Sequence, residues 1–311
     1  MSTSSLRIRV AAEPERRQAL ELVLRPLAPE SRGPLLDAVA GAEPHALGPL
    51  DALLVAVDGE RIVAATWAQP SPGKAASLWP PEWVGKRPQD AQLAEAALIA
   101  KAAQACDAVG VAMTQTLFER SDDARIAALA EAGYDKIATL QYMGRSIRGA
   151  DRKAAGDDAL SFEPYSPREH GRLKRLLTAT YIDSLDCPGL EVYRDLDDVL
   201  AGYRATGIYD PRHWLVASRD GEDVGVVLVA EHPGTDQAEL IYMGLTPAAR
   251  GRGYGKRLVQ QAISAAASIG VDQLMVAVDE GNAPAKRLYQ RAGFAAWAKR
   301  YVYVRPRSGA K

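Results

Sequence analysis

The 311-residue chain is poor in cysteine and histidine. Cys106 and Cys187 are its only cysteines, and its four histidines are scattered without His-x-x-x-His spacing. Two cysteines cannot build a disulfide framework, and the scattered ligands do not predict a metal site. We therefore expect no bound metal and a reducing, cytoplasmic location.

The chain also lacks long apolar runs and a large net charge. No hydrophobic stretch approaches the roughly 18–20 residues that cross a bilayer, and the soon-charged N-terminus does not resemble a secretory signal. Thirty-eight Lys and Arg against 39 Asp and Glu leave a net charge of −1. Because no global field attracts nucleic acid or an anionic membrane, we expect neither as a partner. The sequence does not define the oligomeric state.

The chain contains a weak internal repeat. Its length favours two domains, and the polar, Gly/Ala-rich stretch 148–161 separates two regions with the same order of strand and helix patterns. Gly110 and Gly133 lie 160 residues before Gly270 and Gly293. We therefore predict two copies of one α/β unit, at 1–147 and 162–311, joined by a linker at 148–161.

The second copy contains an unusual glycine-rich, basic stretch, ARGRGYGKRL, at 249–258. It follows a predicted strand that ends at Pro247 and precedes a predicted helix that ends at Gly270. The N-terminus of a helix offers free N–H groups and a positive dipole to an anion. Glycines let a ligand approach the backbone, and the four cations of the stretch (Arg250, Arg252, Lys256 and Arg257) add charge. The pattern predicts a phosphate-binding turn.

Two common phosphate motifs do not fit this turn. A P-loop needs a hydroxyl after its lysine, and Arg257 follows Lys256. The dinucleotide pattern Gly-x-Gly-x-x-Gly would need glycine at position 256 or 258. Arg-x-x-Gly-x-Gly does fit, at Arg250, Gly253 and Gly255. With the flanking strand and helix and the downstream segment NAPAKRLYQRAGF, residues 160–305 resemble the GNAT superfamily of N-acetyltransferases.

The resemblance implies an α/β fold of the α+β mixed-sheet kind. Two tandem GNAT-like domains would each hold a mostly antiparallel sheet with a V-shaped central splay flanked by helices, a layout similar to the mycothiol synthase group. It also implies acetyl-CoA as acyl donor, with its pyrophosphate on the amides of 250–255 and its pantetheine arm along the strand before them. The implied donor-binding residues are Met243, Leu245, Arg250, Gly251, Arg252, Gly253, Tyr254, Gly255, Lys256 and Asn282.

The resemblance implies direct transfer of an acetyl group to a primary amine of a small molecule or peptide. Tyr289 takes the position of the general acid that protonates the departing thiolate. Glu239 looks like the catalytic glutamate of the histone-acetylating branch, with Glu231 or a water relay as alternatives for the base. Structural roles compete with these: a core aromatic for Tyr289, a helix cap for Asn282 and a surface carboxylate for Glu239. The acceptor and the acyl chain length stay open.

The first copy lacks the motif residues of the second copy. With the 160-residue offset, Arg250, Gly253 and Gly255 correspond to Asp90, Leu93 and Glu95, while Tyr289 and Asn282 correspond to Leu129 and Asp122. Carboxylates at a helix start would repel pyrophosphate. We expect a degenerate domain without a coenzyme loop that supports the acceptor site of the second copy.

An acidic segment follows in the second copy. It contains Asp183, Asp186, Glu191, Asp195, Asp197 and Asp198. An acidic lining would favour a cationic acceptor, and a solvated acidic helix explains the pattern equally well.

Two other functions remain open for the whole chain. A non-catalytic acyl-CoA sensor or assembly module would keep the glycine turn without needing Glu239 or Tyr289. A tandem-fold aminoacyl transferase would need a tRNA-binding surface, which the neutral charge disfavours.

Overall fold

The computed structural model describes residues 6–29, 32–33, 35–37, 50–119, 123–152, 160–186 and 193–307. Asp122, Cys187, Glu191 and residues 153–159 of the predicted linker lie outside this part. The strands are β1 (Arg7–Val10), β2 (Leu53–Asp58), β3 (Arg61–Ser71), β4 (Ala75–Trp83), β5 (Met113–Phe118), β6 (Asp135–Ser146), β7 (Ser161–Pro164), β8 (Trp214–Arg219), β9 (Glu222–His232), β10 (Gln237–Leu245), β11 (Gln273–Asp279) and β12 (Ala295–Pro306).

The α-helices whose bounds the structure gives are α1 (Arg16–Val23), α2 (Ala91–Ala108), α3 (Asp123–Glu131), α4 (His170–Tyr181), α5 (Leu196–Arg204), α6 (Tyr254–Ile269) and α7 (Ala283–Arg291). None of them is long and apolar enough to cross a bilayer.

The chain divides into two compact units. Unit 1 is drawn from Met1–Ile137, Val192–Arg194 and Tyr301–Lys311, and unit 2 from Ala138–Glu191 and Asp195–Arg300. The predicted domains, 1–147 and 162–311, assume that each copy keeps its own last strand. In the structure, unit 1 takes its last strand from the end of the chain and unit 2 takes most of β6.

Unit 1 is a mixed sheet in the order β1-β2-β3-β4-β5-β12. All neighbours are antiparallel except β4 and β5, which are parallel over three residue pairs, Ala75–Ser77 with Met113–Gln115. Apolar residues cover both faces of the central strands. One face packs against α1 and the other against α2 and α3.

Unit 2 repeats this arrangement in the order β6-β11-β10-β9-β8-β7. Its one parallel pair is β10 with β11, again over three residue pairs. The helices α6 and α7 pack on one face, and α4 and α5 pack on the other. Each unit is therefore the mostly antiparallel, centrally splayed sheet with flanking helices that the resemblance implied.

The 160-residue offset is wrong at the predicted loop. It holds for the starts of β5 and β11, and of α3 and α7, but Ala91 and Tyr254, the first residues of α2 and α6, are 163 residues apart. Asp90 therefore corresponds to Gly253, and Arg87 corresponds to Arg250. Glu95 lies inside α2, where its side chain is buried.

The last strand of unit 1 is anchored by an ion pair. Arg305 of β12 is 8% exposed, and its guanidinium donates to both carboxylate oxygens of Asp107, at 2.9 and 3.1 Å. Removing one partner of a buried pair leaves the other charge without compensation.

We expect Arg305→Ala to lower the free energy of unfolding by about 3 kcal/mol. The matched control is Arg17→Ala, which removes the exposed i,i+4 pair with Glu21 and should change it by less than about 0.5 kcal/mol. Urea denaturation followed by circular dichroism measures both. Equal effects would show that the Arg305 pair does not anchor the strand.

Candidate functional site

The strands β10 and β11 separate shortly after they meet. Their parallel pairing covers Gln237–Glu239 with Gln273–Met275 and stops there, and a bulge between Leu240 and Tyr242 bends β10. A bulge re-aims the strand that carries it. Beyond Glu239 the two strands therefore border an open gap.

Two residues of β10 direct their backbone groups into this gap. The Thr246 amide donates to the carbonyl of Val224 in β9, at 2.9 Å. Because successive residues of a strand face opposite edges, Leu245 and Met243 face the gap. The Leu245 carbonyl accepts from Arg250 Nε at 3.2 Å, which fits this direction.

The glycine turn lies at the open end of the gap. Gly251 and Gly253 have φ of +75° and +83°, a region that glycine enters without strain. Gly253 is the N-cap of α6 and provides no capping side chain. Within the described residues, no acceptor takes the N–H groups of 251–253. The turn thus presents free amides at a helix N-terminus, as an anion requires.

The basic side chains of the turn have different surroundings. Arg252 and Lys256 are exposed and make no ion pair with the part of the chain that the structure describes. Arg250 instead donates to three backbone carbonyls, those of Leu245, Asp183 and Thr180. It therefore ties the end of α4 to the end of β10.

The remaining turn residues contact the hydrophobic core of unit 2. The half-buried Tyr254 packs against this core. A Cβ at Gly255 would lie 3.0 Å from Leu288 Cδ2, so glycine there lets α6 approach α7 closely.

The helix α7 carries the other two predicted residues. Asn282 is its N-cap, and its Oδ1 accepts from the Ala285 amide at 3.2 Å. Tyr289 is 5% exposed and packs against Phe294. Burial raises the pKa of this phenol, and the Asp186 carboxylate raises it further. Among the described residues, none forms a hydrogen bond with the Tyr289 hydroxyl.

Glu239 forms a pair that sequence reasoning missed. Its Oε2 lies 2.8 Å from His232 Nε2, and both side chains are half-buried. The bond to Glu239 raises the pKa of His232, and burial opposes it in part. The hairpin register sets Gln237 opposite His232, so the two side chains are diagonal neighbours on one face. The turn residues PGTD between the strands were the signal that could have predicted this pair.

The structure separates the two candidate bases. Ala238 and Leu240, beside Glu239, pack towards α6, so Glu239 itself faces the side of α4 and α5. Glu231 faces α6 and lines a cavity of about 470 Å³ with His213, Gln261 and Ser264. Glu239 lies in β10 and Tyr289 lies in α7, and no hydrogen bond joins the two side chains.

A group of tyrosines beside the gap was also missed. Tyr203 of α5 stacks on Tyr242 of β10 with ring centres 5.9 Å apart, and Tyr181 meets Tyr242 edge-on at 5.4 Å. Burial raises the pKa of Tyr203 and Tyr242. No local sequence signal unites these residues, because they come from three elements of the fold.

Unit 1 has the same strand separation with a different helix start. Glu95 Oε1 accepts from Trp83 Nε1 and from Arg87 Nε, both at 2.7 Å, and Arg87 Nη2 donates to Oε2 at 2.7 Å. The arginine that corresponds to Arg250 is therefore bound by an internal carboxylate. With Asp90 in place of Gly253, this turn lacks the features that favour an anion.

A family model and curated relatives match parts of the chain. The family model of the acetyltransferase (GNAT) family matches residues 175–294. A mycothiol acetyltransferase of Stackebrandtia nassauensis is 33% identical over 165 residues, 51% of this chain and 52% of that protein. Another, of Thermobispora bispora, is 34% identical over 102 residues, 31% of this chain and 35% of that protein. The chain therefore spans about half, or less, of the length of these relatives.

Solved structures match both halves. A GCN5-related N-acetyltransferase from Sphaerobacter thermophilus has a TM-score of 0.63 at 14% identity, over 97% of this chain and 96% of that one. A tandem GNAT protein from the clavulanic acid biosynthesis pathway has a TM-score of 0.51 at 14% identity, over 99% and 100%. At this identity the likeness shows a shared tandem fold.

The His232–Glu239 pair predicts a measurable titration. His232 should titrate above its usual pKa of 6.5. Glu239→Gln should lower the pKa of His232, because the neutral amide lacks the negative charge that stabilises the imidazolium. His213, whose pKa burial lowers, is the internal control and should not move. NMR titration of the imidazole Cε1–H signals measures both.

The same pair should affect stability in a defined pH window. The pKa of His232 is higher in the folded protein than in the unfolded chain. The pair therefore adds to the free energy of unfolding fully below about pH 6.5, and this addition is lost as the pH rises through the pKa of the folded state. An unchanged His232 pKa in Glu239→Gln would show that the pair is absent in solution.

Proposed function

Residues 175–294 belong to the GNAT acetyltransferase family, and from this premise we propose that the protein is an acetyl-CoA-dependent N-acetyltransferase acting on a primary amine. One observation carries the proposal: a glycine turn with three free amides lies at the mouth of a gap between two separated parallel strands. Such a turn suits a pyrophosphate, and such a gap suits an extended chain that hydrogen-bonds to strand edges.

Acetyl-CoA would bind along the backbone groups that lack a partner, from the glycine turn into the gap between β10 and β11. Its pyrophosphate would lie on the amides of 251–253, with Tyr254, Gly255 and Asn282 beside it, and the exposed Arg252 and Lys256 would neutralise its charge. The pantetheine arm would meet the gap-facing backbone groups of Leu245 and Met243. Arg250 would act indirectly, by holding α4 against the turn.

The reaction that fits this site is a direct displacement. The amine nitrogen attacks the thioester carbon, the new N–C bond forms and the C–S bond breaks, and the thiolate leaves with the bonding electrons. Backbone amides that polarise the carbonyl would stabilise the developing oxyanion. Tyr289 would give its phenolic proton to the thiolate, since a phenol is protonated at neutral pH with or without burial.

The acceptor needs a base because a primary amine is mostly protonated at neutral pH. We assign this role to Glu239, directly or through one water. His232 would orient the carboxylate through its 2.8 Å contact with Oε2. Glu231 is the weaker candidate, since it faces the cavity on the α6 side of the sheet.

The first copy would serve as a scaffold without a donor site. Its Arg87–Glu95 pair and Asp90 occupy the positions where the second copy has a free turn. We propose that the predicted domains at 1–147 and 162–311 reflect a duplication in which only the second copy keeps the chemistry. The two cysteines of the chain support a cytoplasmic location for this reaction.

Gly253→Glu should abolish acetyl-CoA binding. A carboxylate at this position repels pyrophosphate, and a side chain at φ +83° distorts the turn. Gly270→Glu is the matched control, since Gly270 ends the same helix at φ +96° and a Cβ there also meets open space. Isothermal titration should detect binding by the control alone. Binding by Gly253→Glu would exclude the turn as the donor site.

Tyr289→Phe should keep acetyl-CoA binding and lower kcat about 100-fold, the lower end of what a general acid contributes. Thiol release with a panel of primary amines measures turnover, and titration measures binding. Normal turnover would exclude the acid role. Acetyl-CoA binding without thiol release by the wild-type protein would instead favour an acyl-CoA sensor.

A further inference from the structure

The cavity of about 470 Å³ in unit 2 lies away from the glycine turn. Its walls come from the second half of α6, from the end of β9 and from the segment 208–215. Two of its lining residues, Ser264 and Ser268, lie about 15 and 21 Å along α6 from Tyr254, the first residue of this helix. The volume is typical of sites for small molecules. The cavity is therefore separate from the proposed donor site.

The segment that closes the cavity is fixed to β9 by its backbone. The Ile208 amide donates to the Glu231 carbonyl at 2.7 Å. Gly207 has φ +67°, and a Cβ there would collide with the same carbonyl oxygen, so this close approach requires glycine. Further along, Asp210 Oδ1 accepts from the Arg212 amide at 2.8 Å and caps the short turn before β8. These contacts form the cavity wall without a ligand.

Polar side chains without partners converge on the cavity. Four half-buried ones have no hydrogen-bond partner in the part of the chain that the structure describes: Glu231, His213, Gln261 and Ser264. Burial lowers the pKa of His213, so its imidazole is neutral at neutral pH and offers one donor and one acceptor nitrogen. Polar groups that leave water without a new partner cost free energy. Their convergence indicates a polar ligand.

The lining carries one negative charge without a counter-charge. Asp210 is already paired with Arg212, whose Nε donates to Oδ2 at 2.9 Å. His213 Nε2 lies 3.9 Å from the same oxygen, which is too far for a hydrogen bond. Glu231 makes no ion pair with the described residues. Because a half-buried carboxylate is stabilised by a paired charge, the cavity favours a cation.

The lining favours a guanidinium over an ammonium group. A guanidinium is planar, and a carboxylate can accept two of its five N–H groups side by side. The other N–H groups could reach the side-chain oxygens of Gln261 and Ser264, which lie three residues apart on one face of α6. A guanidinium is also more weakly hydrated than an ammonium, which lowers the cost of a half-buried site. An alkyl stem would meet the apolar part of the lining, which includes Leu215, Ala265 and Ile269.

We propose that this cavity is a second binding site, which holds an alkylguanidinium group against Glu231 with Gln261 and Ser264 as further acceptors. The site does not depend on the proposed acetyl transfer, because it lies towards the opposite end of α6 from the glycine turn. The same chemical group occurs on free small molecules and on arginine side chains, and separate probes distinguish these two sources.

Three variants test the site. Glu231→Gln removes the charge, keeps the shape of the side chain and leaves the carbonyl that accepts from Ile208. Glu222→Gln is the matched control, because Glu222 is an exposed carboxylate on the same strand and does not line the cavity. Ser264→Leu fills the cavity from a helix position, and leucine is a good helix former. Circular dichroism and thermal melting check that each variant folds.

Binding is measured on the full-length protein by ligand-observed NMR. Butylguanidine is the probe and butylurea its neutral planar counterpart. We expect wild type and Glu222→Gln to bind butylguanidine within twofold of each other, and Glu231→Gln and Ser264→Leu to bind it at least tenfold more weakly. Wild type should bind butylurea at least tenfold more weakly than butylguanidine. Three results would each overturn the proposal: no butylguanidine binding by wild type, equal binding by Glu231→Gln, or equal binding of butylurea.

Butylamine tests the preference for a guanidinium. Its affinity should fall less than threefold in Glu231→Gln. A loss as large as that of butylguanidine would overturn the assignment of the guanidinium group. N-acetylarginine amide distinguishes the two sources: it should bind more tightly than butylguanidine if the natural ligand is an arginine side chain, and more weakly if it is a free small molecule.

Acetyl-CoA separates this inference from the proposed function. Saturating acetyl-CoA should change the affinity for butylguanidine less than twofold. Displacement of the probe would place it in the donor gap and overturn the second site. If acetyl-CoA does not bind at all, the proposed function fails, while the comparison of wild type with Glu231→Gln still decides the second site.

Discussion

The separation of β10 from β11 is the constraint on which the rest of unit 2 depends. After three residue pairs the strands part, and backbone groups that would have paired need other partners. Two charged side chains meet this need at the open end: Arg250 donates to the Leu245 carbonyl and Asp186 accepts from the Asp279 amide. The inner backbone groups of the gap, near Met243, face no paired strand on this side.

The two copies show which features belong to the fold and which to the chemistry. Both units contain the parallel three-residue contact and its separation, so the gap alone does not make a donor site. The difference lies at the helix start, where Gly253 faces open space and Asp90 stands at the corresponding position. In unit 1, two guanidinium nitrogens of Arg87 donate to Glu95, whereas those of the corresponding Arg250 donate to backbone carbonyls.

Sequence reasoning succeeded where the cause was local. The turn at Gly253, the end of α6 at Gly270 and the Asn282 cap depend on neighbouring residues, and the pattern predicted all three. The pairing of Glu239 with His232 depends on the hairpin register, which the turn residues between β9 and β10 could have predicted. The Asp186–Asp279 contact joins residues 93 positions apart. The exchange of last strands was equally hidden, because β6 and β12 have similar patterns and only tertiary packing decides which sheet each strand joins.

The position of Arg250 changes how the glycine motif is understood. As the first residue of Arg-x-x-Gly-x-Gly it suggests a phosphate ligand, yet its nitrogens donate to carbonyls on β10 and after α4. A rigid guanidinium can satisfy several acceptors at once, whereas a lysine offers a point charge. The glycine turn and the segment after α4 are thus joined through one side chain. The free amides of 251–253 therefore belong to a turn that is already held against the end of α4.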